Sequence, residues 1–517
     1  MTRRTVLAFP ALRSLWLGAG PSLRLGAGPS LRLGAWLLGA VLASGPIASC
    51  ARNPVTGKNE ISLVSESQEI QMGQQGAQEV EQSIGFVEDA ELQAYVAGIG
   101  KRMAAKSERP HLPWEFHVVN DAAVNAFAIP GGFIYVTRGL LANMNSEAEL
   151  ATVVGHEIGH VTARHSVQQI SKAQLATLGL GIGSIVSSDI AQFAGIASQG
   201  LGVLFLKYGR DAENQADQLG FKYALGLNYD VREMANVFQT LNRASQAGGG
   251  GGRLPEWLST HPNPENRIEK VQERLDTLKV PLDKTIVGRE EFLQQIDGLI
   301  FGEDPRQGFF EGTTFYHPDM RFQLHFPDGW KTQNTPAAVV AVSPKEDAIV
   351  QLGLAGTTPP REAASKFLSQ EGVRAGEGST RSINGNPAAT SYFQAQTEQG
   401  VIEGLVSFVS YGGRTFGLLG YTAQGNLRTY DGAFRETINS FSRLTNPAAL
   451  EVKPAVIELV KLPREMTLAE FNQEYPSTTS IEELAIINEL EGPESVIPRG
   501  RVVKRVVGGR EVSNVPG

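Results

Sequence analysis

The sequence predicts an α+β chain built in three parts behind a cleavable leader. Helical periodicity dominates residues 50–280, with only short strand runs, so the first part is mainly helical with a small sheet. Alternating apolar runs fill 300–445 and are interrupted by two helical stretches, which gives an antiparallel α+β domain. Residues 453–510 then run β-α-α-β as a small closing module. At 517 residues the chain is too long for one ordinary core, and a hydrophobic share of 41% is that of a globular protein. There are 46 basic against 54 acidic side chains, and no basic block interleaved with aromatics follows the leader. Both facts argue against nucleic acid as a partner.

Residues 1–49 contain no acids and carry Arg3, Arg4, Arg13, Arg24 and Arg32 ahead of the apolar run "LGAWLLGAVLASGPIASC". That is a basic n-region, a short h-region broken by Gly and Pro, and small residues before a cleavage point. A tandem "LGAGPSLR" (17–24 and 25–32) lengthens the leader and reads as low complexity. Cys50, the sole cysteine, stands where the leader ends. One thiol excludes an internal disulfide and any cysteine-rich zinc site. "IAS-C" resembles the lipobox of bacterial lipoproteins, in which the cysteine takes the lipid. The resemblance implies a periplasmic lipoprotein of the bacterial cell envelope, and Ala51 in place of Asp points to the outer membrane.

After a polar tether, helices are expected over about 65–84 and 89–106. "WEFHVVN" (114–120) and "NAFAIPGGFIYVTRGLL" (125–141) read as strands, the second folded at Pro130-Gly131-Gly132. In "SEAE", Ser146 and Glu149 form a capping box that opens the next helix. The Gly- and Ala-rich stretch 166–206 carries Gln174, Ser187, Ser188, Asp189 and Gln192. These keep each half short of a membrane span, so buried helices near the site are expected there. Further helices follow at "GRDAENQADQLGFKYALGLNYD", at 231–246 and after "STHPNPEN", with the run Gly248 to Gly252 as a flexible loop. In the second part the helices fall at 360–371 and 427–441, on one side of the sheet. His317 and His325 are isolated there, and no catalytic constellation is present.

The chemistry concentrates in "ELATVVGHEIGHVTARH", which places three of the eight histidines between positions 156 and 165. On a helix His156 and His160 share a face and converge on one ion, while Glu157 sits one residue round. The pattern H-E-x-x-H gives two zinc ligands and a carboxylate able to take a proton from an activated water. Gly155 and Gly159 leave room for a strand or substrate to approach. A third ligand must come from elsewhere, because His165 lies five residues on, round the helix from His160. Glu213 on the next helix is a candidate, although acids on helices are commonly just solvated. Asp217, one turn later, could orient a ligand imidazole.

Four segments in order resemble the zinc metallopeptidases that include HtpX-type quality-control proteases and CAAX prenyl proteases, and most of all their periplasmic BepA-like branch. They are "NAFAIPGGFIYVTRGLL", "ELATVVGHEIGHVTARH", "ENQADQLG" and "STHPNPENRI". The resemblance spans about residues 53–275 and implies a zincin-type domain with one Zn2+ per chain. His156, His160 and Glu213 would be metal ligands and Glu157 the general base, with Asp217 and Arg267 supporting them. His261 would act near the metal, stabilising an oxyanion or closing the open position at rest. The strand Phe133, Ile134, Tyr135 and Val136 would offer an edge to an extended substrate. The implied function is an endopeptidase acting on misfolded or misassembled envelope polypeptides. The alternative is a lipoprotein chaperone or scaffold whose zinc site is plugged by His261. The 34-residue helical repeats of the BepA pattern are missing. The closing module, with Asn488 and "IPRG", resembles a LysM module, which implies peptidoglycan as a further partner.

Overall fold

Capping chemistry sets where the first helices begin. The computed structural model describes residues 49–177, 208–247, 261, 264–335, 338–397 and 400–509. The leader, the Gly248–Gly252 run and most of 166–206 lie outside the described residues. A hairpin of β1 (Ser49–Arg52) and β2 (Asn59–Ser62) carries Cys50 on its first strand. In α1 (Glu66–Ser83), Ser65 and Gln68 form a capping box, and Asp89 caps α2 (Ala90–Ala104) by accepting from two amides. A three-stranded sheet follows from β3 (Glu115–Val119), β4 (Ala126–Ile129) and β5 (Phe133–Thr137). Gly131 and Gly132, at φ 88° and 108°, make the turn between β4 and β5.

The sheet order is β3-β5-β4, with β5 parallel to β3 and antiparallel to β4. Phe133, Ile134, Tyr135 and Val136 therefore lie on the central strand, which corrects their reading as an edge. Both sides of β5 are taken by hydrogen bonds, and among the described residues β4 pairs with no strand but β5. The strand also stops earlier than expected. The Thr137 hydroxyl accepts from the Leu140 amide and starts a short helix, α3 (Arg138–Asn143).

Ser146 and Glu149 form the capping box of α4 (Glu147–Thr162), and α5 (His165–Thr177) follows after a break. The unit continues with α6 (Arg210–Gly226), α7 (Glu233–Ala247), α8 (Pro264–Thr277), α9 (Arg289–Gln295) and β6 (Ile300–Phe301). Leu150, Val154 and Ile158 of α4 share one core with Val96 and Met103 of α2 and Ile134 of β5.

Residues 305–453 are a second unit. Its main sheet is antiparallel and runs, across the sheet, through 331–334, 339–342, 348–354, 414–423, 400–411, 386–397 and 373–379. Adjacent residues on its strands serve two separate cores, because side chains alternate across the sheet. Leu405 and Leu418 pack with Phe434 and Ile438 of helix Leu427–Ser440, whereas Val406 and Leu419 pack with Phe367 of helix Pro360–Leu368. The two helices thus cover opposite faces, where the sequence put both on one side.

The closing segment contains β7 (Ala455–Lys461), α10 (Leu468–Glu474), α11 (Ile481–Ile487) and β8 (Val502–Gly508). It belongs to the same unit as the first part, from which residues 305–453 are set apart. β7 pairs with both β8 and β6. Buried Lys504 donates to the carbonyls of Ala142 and Met144, at 3.0 and 2.7 Å, just ahead of α4. Asn488 is buried and holds Leu484 and both backbone groups of Lys504, so its side chain is spent within the module. Among the described residues no helix is long and apolar enough to cross a membrane.

Candidate metal centre

Close helix packing builds the site. A Cβ on Gly155 would sit 3.1 Å from the Cα of Gly220, and one on Gly159 would sit 3.1 Å from the Cα of Ala216. A Cβ on Gly220 would meet the His156 amide nitrogen at 2.8 Å. Small residues on both sides let α4 and α6 approach until their backbones touch. The neighbour that uses the space at Gly155 and Gly159 is a helix, and the expectation of a strand or substrate there is corrected.

That approach brings the short Glu213 side chain to two imidazoles. His156 Nε2 lies 3.0 Å from His160 Nε2, and Glu213 reaches the same two atoms at 3.7 and 3.5 Å. His261 completes the group, with Nδ1 at 2.9 Å from Glu213 Oε1 and 3.3 Å from His156 Nε2. One donor atom from each of these four buried residues lies within 4.8 Å of all the others. Glu157 is buried beside them, its Oε1 3.7 Å from His261 Nε2 and without a hydrogen-bond partner.

Behind His156, Asp217 Oδ1 stands 2.9 Å from Nδ1. Arg267 holds both Asp217 oxygens, Nε to Oδ2 at 2.8 Å and Nη2 to Oδ1 at 2.6 Å, and its guanidinium stacks 4.2 Å over the Phe238 ring. Behind His160 stands a residue the sequence reading set aside. His165 Nδ1 is 2.9 Å from His160 Nδ1, and His165 Nε2 is 2.9 Å from Gln215 Oε1. Tyr208 was also missed. Its ring stacks on His160 with centroids 4.0 Å apart, and its hydroxyl meets Ser166 at 2.8 Å. No sequence signal marked Tyr208, because it closes a segment with no periodic pattern.

The charges sort by surroundings. Burial raises the Glu157 carboxyl, against the pull of His261 and His156. Burial also acts to raise Glu213 and Asp217, but His261 and Arg267 draw Glu213 below its usual range, and Arg267 with His156 draws Asp217 lower still. Burial, then the neighbouring imidazoles, holds His160 well below the ordinary histidine value. Burial pushes His165 down to about 4. The donor set fits a zinc ion: two imidazoles and one ionised carboxylate converge, and Glu213 Oε2 has no hydrogen bond and lies 3.3 Å from the Arg267 guanidinium. The His261 imidazole stands beside these three.

Known proteins share this part of the chain. The profile of Peptidase family M48 matches residues 90–275. The beta-barrel assembly-enhancing protease of Yersinia pestis is 30% identical over 268 residues, which is 47% of this chain and 54% of that protein. Mitochondrial metalloendopeptidase OMA1 of Schizosaccharomyces pombe is 30% identical over 261 residues, 47% of this chain and 73% of that protein. Its counterpart in Arabidopsis thaliana is 37% identical over 170 residues, 32% of this chain and 33% of that protein. The chain thus spans about half the length of the first of these relatives and a third of the last.

Proposed function

This chain belongs to peptidase family M48, and on that footing we propose that it is a zinc-dependent endopeptidase of the bacterial cell envelope. Its substrates in this reading are misfolded or misassembled envelope polypeptides, and its tether is a lipid on Cys50. One observation carries the proposal: His156, His160 and Glu213 converge while the buried Glu157 carboxylate stands beside them, its Oε1 without a hydrogen bond. Arg267 answers part of the buried negative charge, 3.3 Å from Glu213 and 2.6 Å from Asp217, and a metal ion would answer the side where the imidazoles converge.

His156, His160 and Glu213 would hold the ion. A zinc ion there supplies Lewis acidity, polarising a peptide carbonyl and acidifying water. The remaining steps fall to the protein. Glu157, raised by burial, is poised to accept the proton of the attacking water and pass it to the leaving amine. Asp217 and Arg267 keep the His156 ring turned so that Nε2 faces Glu213. An extended substrate would add to the outer side of β4. Asn125 and Thr137 are paired on the β5 side, so by the antiparallel alternation the backbone groups of Ala126 and Ala128 point outward. Such backbone pairing reads little side-chain identity and suits unfolded chains.

The position of His261 favours a second reading in part. Its Nδ1 sits among the donor atoms, where an incoming water or carbonyl would have to stand. A latent site closed by His261, in a chaperone or scaffold that binds partners or peptidoglycan through other surfaces, has the same geometry. Digestion of reduced casein separates the two. The parent chain should cleave it, and a chelator should stop it. Glu157→Gln should keep its zinc and lose about 10²–10⁴-fold in rate. His261→Ala should speed a plugged enzyme, whereas a scaffold gains no cleavage from it.

A further inference from the structure

We propose that His165 and Gln215 are a positioning pair that fixes which nitrogen of His160 faces the metal, an inference that rests on the metal-centre reading above. Gln215 Oε1 can only accept, so the ring hydrogen of a neutral His165 lies on Nε2, 2.9 Å away. His165 Nδ1 is then a bare acceptor. Its 2.9 Å contact with His160 Nδ1 needs one hydrogen, and only His160 can supply it. With its hydrogen on Nδ1, His160 presents a bare Nε2 towards His156 and Glu213. The chain runs Gln215, His165, His160, and ends in a lone pair where a ligand needs one.

The two ligand histidines are thus supported in different ways. His156 leans on a carboxylate that is itself held by a guanidinium, while His160 leans on a neutral imidazole held by an amide. A neutral acceptor sets the tautomer without adding negative charge to a centre that already buries Glu157, Glu213 and Asp217. The His160 ring also stacks on Tyr208, with 28° between the ring planes.

A break in the chain makes the contact. On a continuous helix, five residues of separation would turn His165 well away from His160. Arg164 instead takes φ 57°, a left-handed conformation that costs a non-glycine residue about 1 kcal/mol, and ends α4. Its guanidinium holds the kink, donating to Glu69 Oε2 at 3.0 Å and to the Val64 carbonyl at 2.9 Å. The chain re-enters as α5 with His165 as its first residue, swung back against His160.

Zinc binding tests the pair without relying on activity. In the purified full chain, competition with a chelating dye should show His165→Leu weakening zinc about 10–100-fold and Gln215→Leu by about tenfold. Ser166→Ala, which loses only the Tyr208 contact, should stay near the parent. Gln215 is half-buried, so its variant carries the test should His165→Leu fail to fold. Nitrogen-15 NMR of the metal-free chain should place the His160 hydrogen on Nδ1. A hydrogen on Nε2 would mean that the Gln215 amide donates and the order runs backwards, and would overturn the proposal. So would a parent that binds zinc while both leucine variants match it within about twofold. A parent that binds no zinc would instead sink the metal-centre reading, and this pair with it.

Discussion

Both units bury apolar cores, but they differ in the charge they bury. Residues 305–453 fill their cores with Phe315, Phe322, Phe393, Phe434 and Phe441, and their buried polar groups are hydroxyls such as Ser343, Ser407 and Thr437. His317 is the exception among the described residues there, and burial pushes it down to about 4. The unit formed with the first part buries Glu69, Arg109, Glu149, His156, Glu157, His160, His165, Glu213, Asp217, Arg267 and Lys504. Burying charge without partners costs several kcal/mol per group, and a chain that only has to stay folded does better with apolar residues. The contrast separates a unit shaped by packing from one whose interior is organised around a chemical site.

The sharpest way to break this comparison is to remove one charge from the organised interior. Arg267→Met removes the guanidinium that lies over Phe238 and leaves Asp217 and Glu213 buried without it. We expect a loss of about 3–5 kcal/mol in urea unfolding of the metal-free chain. Added zinc should restore part of it by mass action. If the variant is as stable as the parent, the buried charges were already screened, and the contrast between units loses its energetic meaning.

A matching change in the other unit sharpens the comparison from its apolar side. Phe434 is fully buried and closes over Gly420, where a Cβ would come within 2.5 Å of its ring. Phe434→Ala should cost about 3–5 kcal/mol there, with zinc stoichiometry unchanged. Near-ultraviolet circular dichroism and zinc titration on the same sample would register both. Zinc loss in this variant would show that the two units do not respond separately.

The sequence made some of this visible and hid the rest for physical reasons. Capping boxes are local, so Ser146 announced α4 within a residue. The four-residue spacing of His156 and His160 needs only a helix to bring them together. Glu213 needed a second helix at a close distance, and the glycines that set the distance were read as room for something else. β5 was placed wrongly because alternation says which way side chains point and not which strands lie alongside. Its parallel partner β3 is a choice made across the sheet. The helix at 360–368 was put on the wrong face for a related reason, since both faces of a two-core sheet are apolar. His165 was lost to the kink at Arg164, whose left-handed turn no glycine or asparagine advertises. The closing module read as β-α-α-β from its periodicity, but its buried lysine pointed nowhere until Ala142 and Met144 were seen beneath it.

That lysine gives the smallest expected effect, visible as a slope and not as a loss. Lys504 is fully buried, and burial pushes its pKa down to about 7. Arg289 pushes the same way, while Glu149 and Glu489 oppose them. The folded chain therefore holds fewer protons than the unfolded one between about pH 7 and the lysine's ordinary value of 10.5. Stability contributed by this group must then rise with pH across that window, and the cost of burying an ammonium is carried in full below about pH 7. In Lys504→Met the contribution disappears at every pH. The free energy of unfolding of the parent, minus that of the variant, should grow between pH 7 and 9 in urea titrations, since groups common to both chains cancel. Parallel curves would mean that Lys504 keeps its proton when folded. The two carbonyls ahead of α4 would then be gripped by a full charge, and the closing module would hold the start of the catalytic helix by an ion–dipole contact instead of a neutral amine.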